Sequence, residues 1–348
     1  MQNFSFMIVG FGVIAKKHIK CIQDNPSTSL CGISDLDKSK LSVAKAEFNV
    51  PTSDKYIDLI KQTKPDVVVI CSSSNSHSAI ANDIAGMVKL IIIEKPIALN
   101  ISDAEQIIEK CKQRDTKLSI VKQNRFNKPI KLIKKLLDDK EFGEIFSSSI
   151  VMRWTRTQEY YDSASWRGTW KNDGGVLANQ GIHFLDALTW LIGDVESVIA
   201  LSKNALLDIE AEDTIIGLLK FKSGGFGTIE FTTATRPSDL EGSITLLGTK
   251  GSCEIGGFAM NSLSYLCTES GLSADSFPDH IENPKVYAYS HKNYYDEVID
   301  SMINNKEPPV SGEEGLLSLK LVHALYSSSE NGHEIFLNNT LVSKLGNS

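Results

Sequence analysis

Short apolar runs and longer amphipathic stretches alternate along the first third of the chain. Phe6 to Val9, Leu30 to Ser34, Val67 to Cys71, Leu90 to Ile93 and Leu118 to Val121 are runs of strand length rich in β-branched residues. Between them, Ile14 to Ile22, Lys38 to Phe48, Asp54 to Gln62, His77 to Ala85 and Ser102 to Arg114 place apolar residues at helical spacing. Strands that are apolar throughout, separated by helices, predict a parallel sheet covered on both faces. The expectation is a doubly wound α/β domain.

Beyond about Asn124 the rhythm changes. One helical pattern, Ile130 to Leu137, precedes strand-like runs at Ile145 to Trp154, Val195 to Leu201, Thr214 to Phe221, Phe226 to Thr232 and Ser243 to Leu247, with Gly224-Gly225 as a hairpin turn. Helical patterns at Asn293 to Ile303 and Glu313 to Ser328 close the chain. Strands with few helices predict an α+β domain on a largely antiparallel sheet. The change of rhythm sets the expected domains at 1–124 and 125–348.

Composition narrows the function classes. A chain of 348 residues, 41% hydrophobic and 23% charged, is globular and long enough for two cores. No apolar run approaches the roughly 20 residues that span a bilayer, so no membrane role is expected. With 36 basic against 43 acidic residues the net charge is −7, which argues against nucleic acid as a partner. The six cysteines include no C-x-x-C pair, and the seven histidines show no metal-ligand spacing, so free thiols and no metal are expected. The N-terminus enters the first strand without a signal-like segment, and the expected location is the cytoplasm.

The first strand runs into Gly10-Phe11-Gly12-Val13-Ile14-Ala15, a G-x-G-x-x-A turn that opens a helix. Gly10 permits the tight turn, Gly12 admits a pyrophosphate close to the backbone, and Ala15 lets helix and strand pack closely. Asp35, at the end of the second strand, is placed to accept both ribose hydroxyls. Its charge opposes a 2′-phosphate, so NAD is the expected cofactor, although Lys38 and Lys40 nearby would suit NADP. Glu94-Lys95-Pro96 ends the fifth strand at the carboxyl edge of the sheet, where a partly desolvated Lys95 suits proton transfer with a substrate hydroxyl. In the second half, Asn179 and His183 stand at i and i+4 and predict one shared helical face.

In this order the glycine turn, Asp35, Glu94-Lys95-Pro96, Gln123-Asn124-Arg125-Phe126-Asn127 and the Gly174-Gly175 to His183 segment resemble the Gfo/Idh/MocA oxidoreductase family over nearly the whole chain. The resemblance implies a Rossmann domain followed by an open-faced β-sheet domain, with Lys95 and His183 handling the hydroxyl proton while hydride passes to the nicotinamide. It also implies that Asn75 and His77, after the fourth strand, and Glu94 lie at the cofactor. Many members carry aspartate four residues before the histidine, where this chain has Asn179. The stretch from Arg153 through Arg156, Tyr160 and Arg167 to Asn179-Gln180 resembles the branch that oxidises UDP-N-acetylglucosaminuronate at its third carbon, as do Tyr294-Tyr295-Asp296 and Gly312 to Gly315. All four tryptophans and the three arginines Arg153, Arg156 and Arg167 fall within 153–190, offering stacking surface and charge for a diphosphate and a carboxylate. The branch therefore implies Arg153, Arg156, Tyr160, Arg167, Asn179 and Gln180 as substrate contacts, and the family architecture implies a homodimer or homotetramer. An inositol or simple-sugar dehydrogenase, an NAD-using glycosidase and a non-catalytic NAD sensor are the alternative readings.

Overall fold

The computed structural model describes residues 3–280 and 290–347. Two compact units divide the chain: Met1–Lys122 with His291–Leu317, and Gln123–Ser290 with Ser318–Ser348. The first boundary falls two residues before the expected one. The larger correction is that residues 291–317, expected in the second domain, belong to the first. Long-range hydrogen bonds hold them there: Tyr294 Oη lies 2.8 Å from Ser119 Oγ, and the Val310 carbonyl accepts from Ile120 N and Ser119 Oγ.

The first unit is a six-stranded parallel sheet of β1 (Phe4–Val9), β2 (Thr28–Ser34), β3 (Thr52–Ser53), β4 (Val67–Ile70), β5 (Leu90–Ile93) and β6 (Lys117–Ile120), in the order β3-β2-β1-β4-β5-β6. Helices α1 (Val13–Asp24), α2 (Lys38–Phe48), α3 (Tyr56–Thr63), α4 (His77–Ile84) and α5 (Ile101–Gln113) connect the strands. All of β4 and β5 is buried, as their unbroken apolar runs predict for a sheet covered on both sides. The strand order reverses between β1 and β4, and the crevice outside the carboxyl ends of such a pair is where open α/β sheets take ligands.

In the second unit α6 (Lys128–Asp138) leads into β7 (Ile145–Arg153), followed by α7 (Gln158–Asp162), a π-helical turn at Leu177–Gly181 and α8 (Ile182–Ile192). The strands β8 (Val195–Lys203), β9 (Thr214–Phe221), β10 (Phe226–Thr232), β11 (Glu241–Gly248), β12 (Gly251–Gly256), β13 (Ser262–Thr268) and β14 (Ile335–Phe336) complete a sheet ordered β13-β12-β11-β7-β10-β9-β8-β14. Only β7 and β10 pair in parallel. Two further helices, α9 (Ser290–Ile303) and α10 (Gly312–Asn331), follow; α10 begins in the first unit and continues into the second.

Period-2 alternation splits the large sheet into two faces. Ile150, Met152, Ile229, Phe231, Ile244 and Leu246 are buried on the side that α8 covers. At Gly181 a Cβ would stand 2.6 Å from the Phe231 ring, so glycine is what lets the π turn lie this close. The opposite face exposes Ile199, Leu201, Ile216, Leu218 and Phe226. Among the described residues no helix is long and apolar enough to cross a membrane.

Candidate active site

The turn after β1 is built to receive a phosphate. Gly10 has φ +93°, and a Cβ there would lie 2.5 Å from Ser72 N, so both conformation and space require glycine. At Gly12 a Cβ would meet nothing within 4 Å. The chain itself does not need a glycine at this position, whereas a closely approaching ligand does. Gly12 caps α1 without a side-chain hydrogen bond, leaving the first N–H groups of the helix for an anion. Ala15 is fully buried against the sheet. Asp35 Oδ2 accepts from Phe11 N at 2.6 Å and Oδ1 from Asp37 N at 2.8 Å, which fixes the carboxylate beside the turn. Lys40 Nζ lies 4.0 Å from Asp35 Oδ2, at the edge of ion-pair distance and half-exposed. These residues fit a dinucleotide whose ribose carries free hydroxyls.

Two of the expected cofactor contacts are scaffold instead. His77 is 1% exposed, and its ring nitrogens face the carbonyl oxygens of Pro96 (2.8 Å) and Ser72 (3.1 Å). Burial pushes its pKa down, and the ring braces the loops after β4 and β5 from below. Glu94 is buried too, with Oε1 accepting from His18 Nε2 at 2.8 Å and Oε2 accepting from Lys95 N at 3.2 Å. His291 Nε2 lies 3.9 Å from the same Oε1. Sequence spacing pointed to no metal, yet His18, Glu94 and His291 bring ligand atoms within 4.8 Å of one another. Two ligands of one tetrahedral zinc would stand ~3.4 Å apart. The 2.8 Å contact of His18 with Glu94 is a direct hydrogen bond, so the carboxylate and this ring are already paired with each other. Asn75 accepts from Ser73 Oγ at 2.7 Å in the turn that precedes α4.

In the second unit, Asn179 and His183 are the two residues from Asp173 to Leu188 that are not buried. Asn179 lies in the π turn and His183 in the first turn of α8. Asn179 Nδ2 donates to Asp173 Oδ1 at 2.7 Å, while Asp173 Oδ2 accepts from Gly168 N at 3.0 Å. Gln180 is buried, and its Oε1 has no hydrogen-bond partner among the described residues.

The π turn that carries these residues rests on Glu212 and Tyr326. Glu212 Oε1 accepts from Leu177 N and Tyr326 Oη, each at 2.9 Å, and the tyrosine oxygen in turn accepts from Gly175 N and Ala178 N. Burial pushes the Glu212 pKa up to about 8, which favours its neutral form. Arg125 and Asp186 form a buried bidentate pair, both bonds 2.8 Å, and Ser318 Oγ donates to the same carboxylate at 2.9 Å. Neither Glu212 nor the role of Arg125 was evident in the sequence, because their partners are remote along the chain.

The arginines separate. Arg153 sits on the sheet face opposite α8, where Nε and Nη2 hold Glu230 at 2.7 and 2.6 Å and Nη1 holds Glu241 at 2.8 Å. With its donors committed to cross-strand carboxylates, it leaves the set of expected ligand contacts. Arg156 lies over the Trp154 and Tyr160 rings, 5.4 and 5.5 Å from their centroids. Arg167 lies 4.3 Å from the Tyr160 centroid and 4.6 Å from that of Trp166, donates to Tyr160 Oη at 2.6 Å, and keeps a buried Nε with no hydrogen-bond partner among the described residues. Two guanidiniums thus lie against one tyrosine ring.

Models of the oxidoreductase family match nearly the whole chain, the NAD-binding Rossmann fold over residues 4–121 and the C-terminal alpha/beta domain over residues 134–337. The chain belongs to the Gfo/Idh/MocA oxidoreductase family. It is an NAD-dependent oxidoreductase of the sugar-dehydrogenase type. Among solved structures it is similar to the WlbA dehydrogenase from Bordetella pertussis in complex with NADH and UDP-GlcNAcA, at 36% identity and TM-score 0.93, covering 97% of this chain and 99% of that one. The corresponding WlbA complex from Chromobacterium violaceum is 34% identical with TM-score 0.89, covering 97% and 96%. A curated relative, the myo-inositol 2-dehydrogenase of Thermotoga maritima, is 27% identical and covers 95% of this chain and 97% of its own.

Asp35→Ala is expected to weaken NAD binding at least tenfold while changing NADP binding little, since it removes an acceptor for the ribose hydroxyls together with the charge that opposes a 2′-phosphate. Calorimetry with both cofactors measures it. Equal loss for NAD and NADP would count against Asp35 as the discriminating residue.

Proposed function

We propose that this protein is an NAD-dependent dehydrogenase that oxidises the 3-hydroxyl of a UDP-N-acetyl-hexosaminuronic acid to a ketone. The observation that carries the reading is the similarity, at 34–36% identity over 97% of the chain, to two dehydrogenases solved with NADH and UDP-GlcNAcA. The stacked pair Arg156 and Arg167 supports it, because guanidinium groups held on aromatic faces suit the diphosphate and carboxylate of such a ligand. NAD, when bound, supplies the acceptor for the hydride that leaves carbon. The residues of the chain do the rest. Gly12 and the start of α1 would hold the pyrophosphate and Asp35 the adenosine ribose. Lys95 takes the hydroxyl proton as the carbonyl forms, and His183 is the second acid–base group.

The test is oxidation of UDP-N-acetylglucosaminuronate, UDP-N-acetylglucosamine and free inositol under identical conditions, followed by mass spectrometry for a product lighter by two hydrogens. The nucleotide-linked acid should show the highest kcat/KM. A higher value for inositol would move the enzyme to the small-polyol side of the family, where the Thermotoga maritima relative stands.

The arginines give a sharper expectation. Arg156→Leu or Arg167→Leu should raise KM for the UDP-sugar about tenfold or more with little change in NAD affinity, whereas Arg153→Gln should leave KM within about twofold. Steady-state kinetics over the sugar at saturating NAD separates the three. The reading also extends to assembly: a second copy of the chain covers the apolar sheet face of Ile199, Leu201, Ile216, Leu218 and Phe226. Sedimentation as a monomer at micromolar concentration would reject that part.

A further inference from the structure

His18 lies on the second turn of α1, the helix that opens at the phosphate-binding turn, and its ring is fully buried. Besides the bond from Nε2 to Glu94, its Nδ1 meets the Tyr295 hydroxyl at 2.9 Å. The His291 ring stands edge-on to it at 5.4 Å. Glu94 is thus gripped at one oxygen by α1 and approached by α9, while its other oxygen takes the backbone N–H of Lys95.

We propose that His18 is a positioning residue for Lys95: acting through Glu94, it fixes the backbone from which the lysine side chain leaves β5 and keeps an anion against that backbone. This rests on reading Lys95 as the acid–base group. The Lys95 N–H to Glu94 Oε2 bond closes between adjacent residues, so it sets the torsions that aim the lysine only while the carboxylate itself is held still. A buried carboxylate stays in place and ionised when opposite charge and donors face it. Burial alone would raise the pKa of Glu94, but the hydrogen bond from His18 and the nearby His291 ring outweigh it and hold the carboxyl well below its ordinary range. The other groups that face it are Lys17 on α1, Cys71 after β4, His77 on α4, and Tyr294 and Tyr295 on α9. Lys17 is the further cation among them, and burial lowers its pKa while Glu94 pulls it back up.

The test uses the full-length, NAD-loaded protein with its lysines carrying 13C-methyl groups, the Lys95 resonance being assigned by its loss in Lys95→Arg. Glu94→Gln removes the anion while keeping the shape, so the ammonium form of Lys95 loses support and its titration midpoint should fall by about one pH unit. His18→Leu should move the midpoint the same way by less, and His18→Gln, which can still donate to Glu94, should restore most of it. If His18→Leu does not fold, the two glutamine variants carry the comparison. A purely structural role would lower melting temperatures and leave the midpoint in place, and that result overturns the proposal, as does a stoichiometric divalent metal in the wild-type protein. A shifted midpoint in an enzyme that oxidises no UDP-sugar would sustain the positioning role and reject the substrate.

Discussion

Replacing Lys95 or His183 with alanine is expected to slow hydride transfer by about 10²- to 10⁴-fold, the range that a positioned acid–base group contributes. The loss should appear in single turnovers as well as in kcat, because the proton leaves the hydroxyl in the step in which the carbonyl forms. NADH affinity and melting temperature should change little. Lys95 is half-exposed at the end of β5, and His183 is half-exposed on an α8 turn that other residues hold in place. On the proposed reading, in which both serve one proton transfer, the two losses should fall short of multiplying. A Lys95→Ala enzyme that transfers hydride at the wild-type rate would remove the lysine from the chemistry.

The second large effect concerns stability. Arg125→Leu should destabilise the protein by about 3–5 kcal/mol, the cost of leaving one member of a buried ion pair without its partner. Asp186 would then lose its bidentate partner at a site where its side chain is 3% exposed, keeping the hydrogen bond from Ser318. The double variant Arg125→Leu/Asp186→Leu should recover a substantial part of that loss, because no charge is left to desolvate. Denaturant titrations of both variants read the difference. Equal destabilisation in the single and double variants would mean that packing around the guanidinium, and not its charge, sets the stability.

The first unit was legible because its signals are local. β4 and β5 are unbroken apolar runs and β1 ends in one, Phe6 to Val9, so the glycine turn and Lys95 follow strand ends that such runs mark, while Asp35 follows the mixed strand β2. In the second unit β7 to β11 follow the alternation closely, but β12 and β13 have mixed polar sequences and β3 and β14 only two residues each, too little for a period to register. Arg153 shows a signal that was present and unused. In a strand, neighbours point to opposite faces, so an arginine next to the buried Trp154 belongs on the far side of the sheet. The grip of His18 and His291 on Glu94 had no such signal, since it joins residues brought together only by the fold.

The return of residues 291–317 to the first unit bears on how the protein is made. Ser119 and Ile120 on β6 obtain their Val310 partner, and Ser119 its Tyr294 partner, only after most of the chain has been synthesised. The Rossmann sheet therefore leaves the ribosome with one edge unfinished and waits, while residues 123–290 of the second unit are translated, for the segment that completes it. A fragment ending at Lys122 would carry the phosphate turn, Asp35 and Lys95 but lack the tyrosines and histidine that close around Glu94. Expression of the cofactor domain alone calls for grafting 291–317 onto it, not for trimming at the apparent boundary.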